Sequence, residues 1–236
     1  MLRAIQDRSA RHTTPLPTLL TLLFLLPAAK ALAVDPWAPG NASRPEHRIR
    51  EEPTVSPALP ETAATYVFED DVHRIEFTRE GMVLRFKVDG SSAALWIGEI
   101  RRASGPRIWT REQPSLDFSL DGDTVTYRRT RSVREAYFID RTGLHQVWSL
   151  DGEALRGTGD LVVLGEILTP LQVDLVDGRI HFSKGASWVD SFCSFLARDG
   201  RGNETEIVPT LEGKRIRLTV PGDWISGTGS RAPAGG

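Results

Sequence analysis

Val83-Leu84-Arg85-Phe86-Lys87-Val88 alternates apolar and polar residues from Leu84 onward and runs directly into Asp89-Gly90. A period of two sends one set of side chains into a core and the other into water, which predicts a half-buried β-strand. The Asp-Gly pair then predicts a tight turn, because Asp bonds to nearby backbone and Gly accepts a positive φ. The same pair recurs at 121, 151, 177 and 199. Between these turns lie Arg74-Ile-Glu-Phe77, Thr124-Val-Thr-Tyr127, Gln146-Val-Trp-Ser-Leu150, Leu171-Gln-Val-Asp-Leu175, Arg179-Ile-His-Phe182 and Arg215-Ile-Arg-Leu-Thr-Val220. Many short, half-buried strands at this spacing predict an all-β chain of antiparallel sheets packed as a sandwich, with room for two small sheet units. No run of a dozen residues keeps apolar groups at helical spacing, so little or no helix is expected beyond the N-terminal segment. Leu161 to Leu168 is apolar enough to be a fully buried strand.

The first 33 residues have a different character. Arg3, Arg8 and Arg11 precede an apolar run from Leu16 to Leu26, and Ala31-Leu32-Ala33 forms a small-x-small cleavage site. This is the pattern of an export signal, and the run is shorter than the roughly 20 residues of a membrane span. The expected location is secreted, periplasmic or cell surface, with no stable membrane insertion after cleavage. Residues 34–65 are crowded with Pro36, Pro39, Pro45, Pro53, Pro57 and Pro60 and read as a disordered spacer. Residues 66–225 then form the sandwich domain, and the Gly- and Ser-rich residues 226–236 form a flexible tail.

Charge and cysteine usage narrow the function classes. Residues 1–33 carry four basic groups and one acidic group, so the remainder carries 25 basic and 30 acidic groups, a net charge of -5. Mild acidity argues against a nucleic-acid partner, whose phosphates need a basic face. The basic stretch Arg128-Arg-Thr-Arg131-Ser-Val-Arg134 reads as a solvated strand face or as a loop meeting nearby carboxylates. Cys193 is the single cysteine, in the apolar setting Phe192-Cys-Ser-Phe195, and reads as a small buried hydrophobe. With no internal disulfide, stability rests on apolar burial.

Catalytic signatures are absent: no nucleophile elbow, zinc-binding His pair, phosphate loop or dinucleotide fingerprint occurs. His47, His73, His145 and His181 are dispersed, so no metal-ligand or cofactor spacing arises, and His145 and His181 read as structural residues in strands. Glu69-Asp70-Asp71 and Asp121-Gly-Asp123 lack the longer pattern of a calcium loop and read as solvated turns. Aromatic residues are the better lead. Trp96, Trp109, Trp148, Trp188 and Trp224 fall within the sandwich, and core filling accounts for most of them. Trp109, flanked by Arg107 and Arg111 in a Pro-bordered segment, is the one expected on an exposed binding surface formed by these three residues.

The stretch Val133-Arg-Glu-Ala-Tyr-Phe-Ile-Asp140-Arg-Thr-Gly143-Leu-His-Gln-Val-Trp-Ser-Leu150 pairs a Glu-aromatic strand with a Gly-Leu-x-Gln strand through a turn. With Gly159-Asp-Leu-Val-Val163, Phe195 to Gly202 and Ile216 to Val220, it resembles the N-terminal β-rich module of large exported bacterial proteins of myxobacterial type. Those proteins carry FG-GAP or other adhesion-type repeats. His145 and Val147 depart from the Glu and Gly of that pattern. The resemblance, over about residues 66–222, implies surface architecture and supplies no catalytic residues. The expected function is therefore a non-catalytic exported module for cell-surface organisation or adhesion, with surface polysaccharide or an envelope protein as partner. A carbohydrate-binding or glycoside-active module and a periplasmic scaffold that recruits protein through an open sheet edge are the alternatives.

Gly143 is expected to turn the chain with positive φ between two strands. Gly143→Val should then cost about 1 kcal/mol or more of stability while leaving binding chemistry intact; an unchanged thermal midpoint would contradict this.

Overall fold

A computed structural model describes residues 20–27, 49–52, 65–140, 143–192 and 194–227. The strands in chain order begin with β1 (Leu20–Pro27), β2 (Arg50–Glu52), β3 (Thr65–Glu69), β4 (His73–Thr78), β5 (Gly81–Phe86), β6 (Ser92–Ser104) and β7 (Arg107–Thr110). They continue with β8 (Asp117–Asp121), β9 (Thr124–Arg128), β10 (Val133–Asp140), β11 (Gly143–Leu150), β12 (Thr158–Leu168) and β13 (Gln172–Val176). The last are β14 (Arg179–Lys184), β15 (Ser187–Phe192), β16 (Ser194–Arg198), β17 (Glu204–Glu206), β18 (Thr210–Glu212) and β19 (Arg215–Val220), followed by the one-turn helix α1 (Gly222–Ser226).

The chain is all-β and antiparallel. A seven-stranded sheet has the order β17-β16-β1-β11-β10-β9-β8, and a nine-stranded sheet the order β18-β19-β12-β6-β5-β4-β3-β2 with β7 also on β6. A third sheet, β13-β14-β15, covers one end. The alternation read from sequence decides which side chains meet: Ile75 and Phe77 on β4, Val125 and Tyr127 on β9, and Ile216, Leu218 and Val220 on β19 are buried. The two large sheets lock through aromatic rings. Phe77 lies 5.3 Å from Tyr137 and Trp109 lies 5.0 Å from Trp148, between ring centroids. The Tyr127 hydroxyl also donates to the Thr78 carbonyl at 2.7 Å, so the hydroxyl buried with that ring has its partner. Burial in such a core supplies the main stabilisation of a fold with no disulfide.

Two of the Asp-Gly hairpins show why the pair was chosen. Asp177 and Gly178 both have positive φ, 51° and 74°, closing β13 onto β14 as a two-residue turn of the mirror-image type. Between β8 and β9 only Gly122 is positive, at 57°, the other favoured hairpin turn. Gly143 also has the expected positive φ, 134°, and stands opposite Asp140 at the β10–β11 turn.

Two segments differ from the sequence expectation. Arg50–Glu52 lie inside the presumed spacer, yet they pair with Thr65, Tyr66 and Val67, and Ile49 is buried in the core. Arg50 also pairs with Glu69 at 3.2 Å, and the spacer reading fails for residues 49–52 and for Thr65, which begins β3. Leu20–Pro27, the apolar centre of the export-like segment, forms β1 within the seven-stranded sheet, bonded to β11 on one side and β16 on the other. Cys193, His47, the remainder of the spacer and residues 228–236 lie outside the described residues.

His73 ties the sandwich to the third sheet. Its Nε2 lies 2.8 Å from Asp190 Oδ2 on β15 and its Nδ1 lies 3.4 Å from Asp70 Oδ2. Burial disfavours the charged ring, but hydrogen bonds to Asp190 and Asp70 outweigh it and raise the His73 pKa from 6.5 to about 9. Burial also opposes the Asp70 charge, and bonds from His73 and the backbone N–H groups of His73 and Val72 lower that pKa from 3.8 to about 2. The His73 contribution is full below pH 6.5 and is lost as pH rises through about 9. The Asp70 contribution is full above pH 3.8 and is lost as pH falls through about 2. His73→Gln should therefore cost about 1–2 kcal/mol at pH 6 and much less at pH 10, read from urea unfolding at both pH values.

Candidate functional site

A cavity of about 430 Å³ lies between the two large sheets. Its buried floor includes Trp109 from β7, Glu135 and Tyr137 from β10, Trp148 from β11 and Arg129 from the β9–β10 connection. Arg79, Glu80, Gln113 and Asp117 form an exposed rim, and half-buried Trp96 and Arg111 stand between rim and floor.

The floor is organised by one carboxylate. Glu135 is 2% exposed, and its Oε2 accepts from Arg129 Nε at 2.8 Å and Arg129 Nη2 at 2.5 Å. Its Oε1 accepts from the Tyr137 hydroxyl at 2.6 Å and from Gln146 Nε2 at 2.7 Å. Arg129 also donates through Nη1 to Ser115 Oγ, and its guanidinium lies 4.4 Å from the Tyr127 ring centroid. Desolvation, followed by the charge of Glu135, raises the Tyr137 phenol well above its ordinary pKa, so it remains a donor. The four donors occupy the lone-pair directions of Glu135. The group is thereby an anchor for its neighbours, with no free lone pair to take a proton from a ligand.

The upper wall depends on a β-bulge. Leu164 stands opposite Glu99 and Gly165 opposite Ile97, so Gly98 is an extra residue on β6. The Gly98 carbonyl accepts the Arg111 N–H at 2.9 Å, which fixes the backbone of Arg111 near Trp96. The guanidinium carbon lies 3.1 Å from the Trp96 ring centroid. Burial, and then the charge of Arg129, push the Arg111 pKa below the ordinary arginine value, but an arginine remains a cation throughout the working range. The indole N–H groups of Trp96, Trp109 and Trp148 are buried without a hydrogen-bond partner, and all three residues belong to this wall. Unpaired buried donors are costly, and these three lie behind the cavity surface, out of reach of solvent.

The three residues expected to share an exposed surface are separated. Trp109 is 2% exposed and packs into the core, which corrects its expected exposure. Arg111 joins it at the cavity, whereas Arg107 points to solvent and pairs with Glu99 at 3.4 Å. The cause is a second bulge: Ile100 faces Trp109 and Arg101 faces Arg107, so Ile108 is extra and the alternation breaks before Trp109. The basic stretch from Arg128 is split in the same way, with Arg129 buried on Glu135 and Arg128, Arg131 and Arg134 exposed. Glu135, read from sequence as a group that satisfies backbone or Arg groups near a sheet edge, meets Arg129 in the interior instead, and its position in phase with Val133 and Tyr137 on one strand face marks it as aimed inward.

Other candidate clusters have structural partners. Glu69 pairs with Arg50, Arg74 and Lys87, and Asp70 with His73. No group of three metal-ligating side chains occurs among the described residues. His145 is fully buried, stacked on Phe138 at 4.5 Å and bonded to Asp140 at 2.9 Å, and His181 lies on β14 opposite Asp174 and Ser191. Comparison with protein-family models, curated proteins and solved structures finds no match.

Removing Glu135 leaves the Arg129 charge buried without its partner. Glu135→Ala should destabilise the fold by about 3–5 kcal/mol in urea unfolding; a loss below about 1 kcal/mol would show that the network is dispensable.

Proposed function

We propose that this chain is an exported, non-catalytic binding module for cell-surface organisation or adhesion whose inter-sheet cavity takes a surface saccharide. The observation that carries this reading is the cavity wall: Arg111 laid on Trp96 at the mouth, above buried aromatic residues. Its volume lies within the range of about 300–1,000 Å³ typical of small-molecule sites. Aromatic faces pack against the C–H faces of sugar rings, and sugar hydroxyls offer the acceptors that a guanidinium at the mouth needs. The export-like residues 1–33 and the resemblance over about residues 66–222 support the surface setting.

The non-catalytic reading rests on Glu135. Glycoside hydrolysis uses two carboxyls free to exchange protons across the sugar. The buried carboxyl of this cavity is engaged by Arg129, Tyr137 and Gln146. The remaining carboxylates on the lining, Glu80 and Asp117, stand on the exposed rim.

Trp109→Ala would test folding, since Trp109 is core; Trp96 and Arg111 are the informative positions. Retention of envelope polysaccharide on the immobilised protein should fall at least tenfold, or about 1.4 kcal/mol, for Trp96→Ala and Arg111→Gln. The thermal midpoints of these variants should stay within a few degrees of the parent. Undiminished retention by both variants would overturn the cavity as the binding site.

A further inference from the structure

Leu20–Pro27 has two roles that conflict once the chain is exported. In sequence it is the apolar centre of the export-like segment that ends at Ala33. In the fold it is the strand that joins β11 to β16: all eight residues stand opposite β11, and Thr21–Leu25 also stand opposite β16. Strands within a sheet lie about 4.8 Å apart, so removing β1 leaves two facing edges about 10 Å apart. Those edges carry unpaired N–H and C=O groups. β11 is buried on both faces, with Leu144 and Trp148 on one and His145 and Val147 on the other. That burial holds with β1 in place; without it the edge of a strand from the middle of the sheet is left to water or to another strand, and an unpaired edge is a template for strand addition.

We propose that signal cleavage opens this slot and that the processed protein fills it with an extended strand from another protein. This rests on reading residues 1–33 as an export signal. The occupant is specified by the slot: about eight residues, antiparallel to both β11 and β16, uncharged, and apolar at the alternate positions that face Leu144, Gln146, Trp148 and Leu150. A strand bonded on both sides cannot tolerate proline in its interior. The two linkers flanking Arg50–Glu52 do not meet that requirement, because 34–48 contains Pro36, Pro39 and Pro45 and 53–64 contains Pro53, Pro57 and Pro60. Occupation also reaches the cavity, since Trp148 lines it and Gln146 holds Glu135. The incoming strand thus completes the wall on which ligand binding depends.

The test uses the full chain, exported from a bacterial host and checked by intact mass for loss of residues 1–33. Processed protein is mixed with a synthetic peptide of Leu20–Pro27 flanked by solubilising lysines, and amide hydrogen exchange is followed at β11 and β16. Exchange at both strands should slow at least tenfold, with a rise in thermal midpoint, and a peptide carrying Leu22→Asp and Phe24→Asp should do neither. Recovery of protein that retains residues 20–27 would overturn the export reading and the proposal with it. Processed protein whose β11 and β16 exchange does not respond to the peptide would overturn the slot while leaving export intact.

Discussion

The buried pairing of Glu135 with Arg129 is the constraint on which the interior depends. Moving a carboxylate and a guanidinium out of water costs several kcal/mol for each ion, and the cost is offset only when geometry and hydrogen bonding are complete. Completion here draws on four places in the chain: Ser115 before β8, Arg129 after β9, Tyr137 on β10 and Gln146 on β11. Each partner must arrive in register, so one ion pair specifies how the β7–β8 connection, the β9–β10 turn and the β10–β11 hairpin meet. Replacing the pair with apolar residues could keep the fold, but the floor of the cavity would lose its polar order.

Around that floor, two irregularities in otherwise regular sheets shape the wall. The extra residue at Gly98 brings Arg111 against Trp96, and the extra residue at Ile108 turns Arg107 outward while Trp109 turns in. Neighbouring Gly165 is needed because a side chain there would press on Ile216 and the Trp96 backbone, both at 3.0 Å. Local breaks in alternation re-aim side chains without breaking the sandwich. The mouth of the cavity is therefore set by backbone geometry, and its floor by electrostatics.

The seven-stranded sheet adds a dependence on the N-terminal segment. β1 lies beside β11, which in turn presents Trp148 and Gln146 to the interior. Whatever strand occupies that position packs beside residues that also line the inter-sheet cavity.

Sequence by itself determined the all-β, antiparallel sandwich and its hairpin turns, because alternation and Asp-Gly chemistry are local properties of a few neighbouring residues; the strand at Leu161–Leu168 formed, but with Glu166 exposed it is not buried throughout. Asp177-Gly178 and Gly122 had to turn where they do, whatever packed above them. Only the tertiary structure decided that Trp109 is buried, that Arg129 leaves its basic run to meet Glu135, and that Arg50–Glu52 joins a sheet. Those outcomes depend on bulges and on partners far away in sequence, such as Trp148 beneath Trp109 and Asp190 beside His73. A short window of sequence carries the period of a strand, but the phase of a bulge is set by the neighbouring strand, and which aromatic and charged side chains end up buried is set by the sheet packed over them.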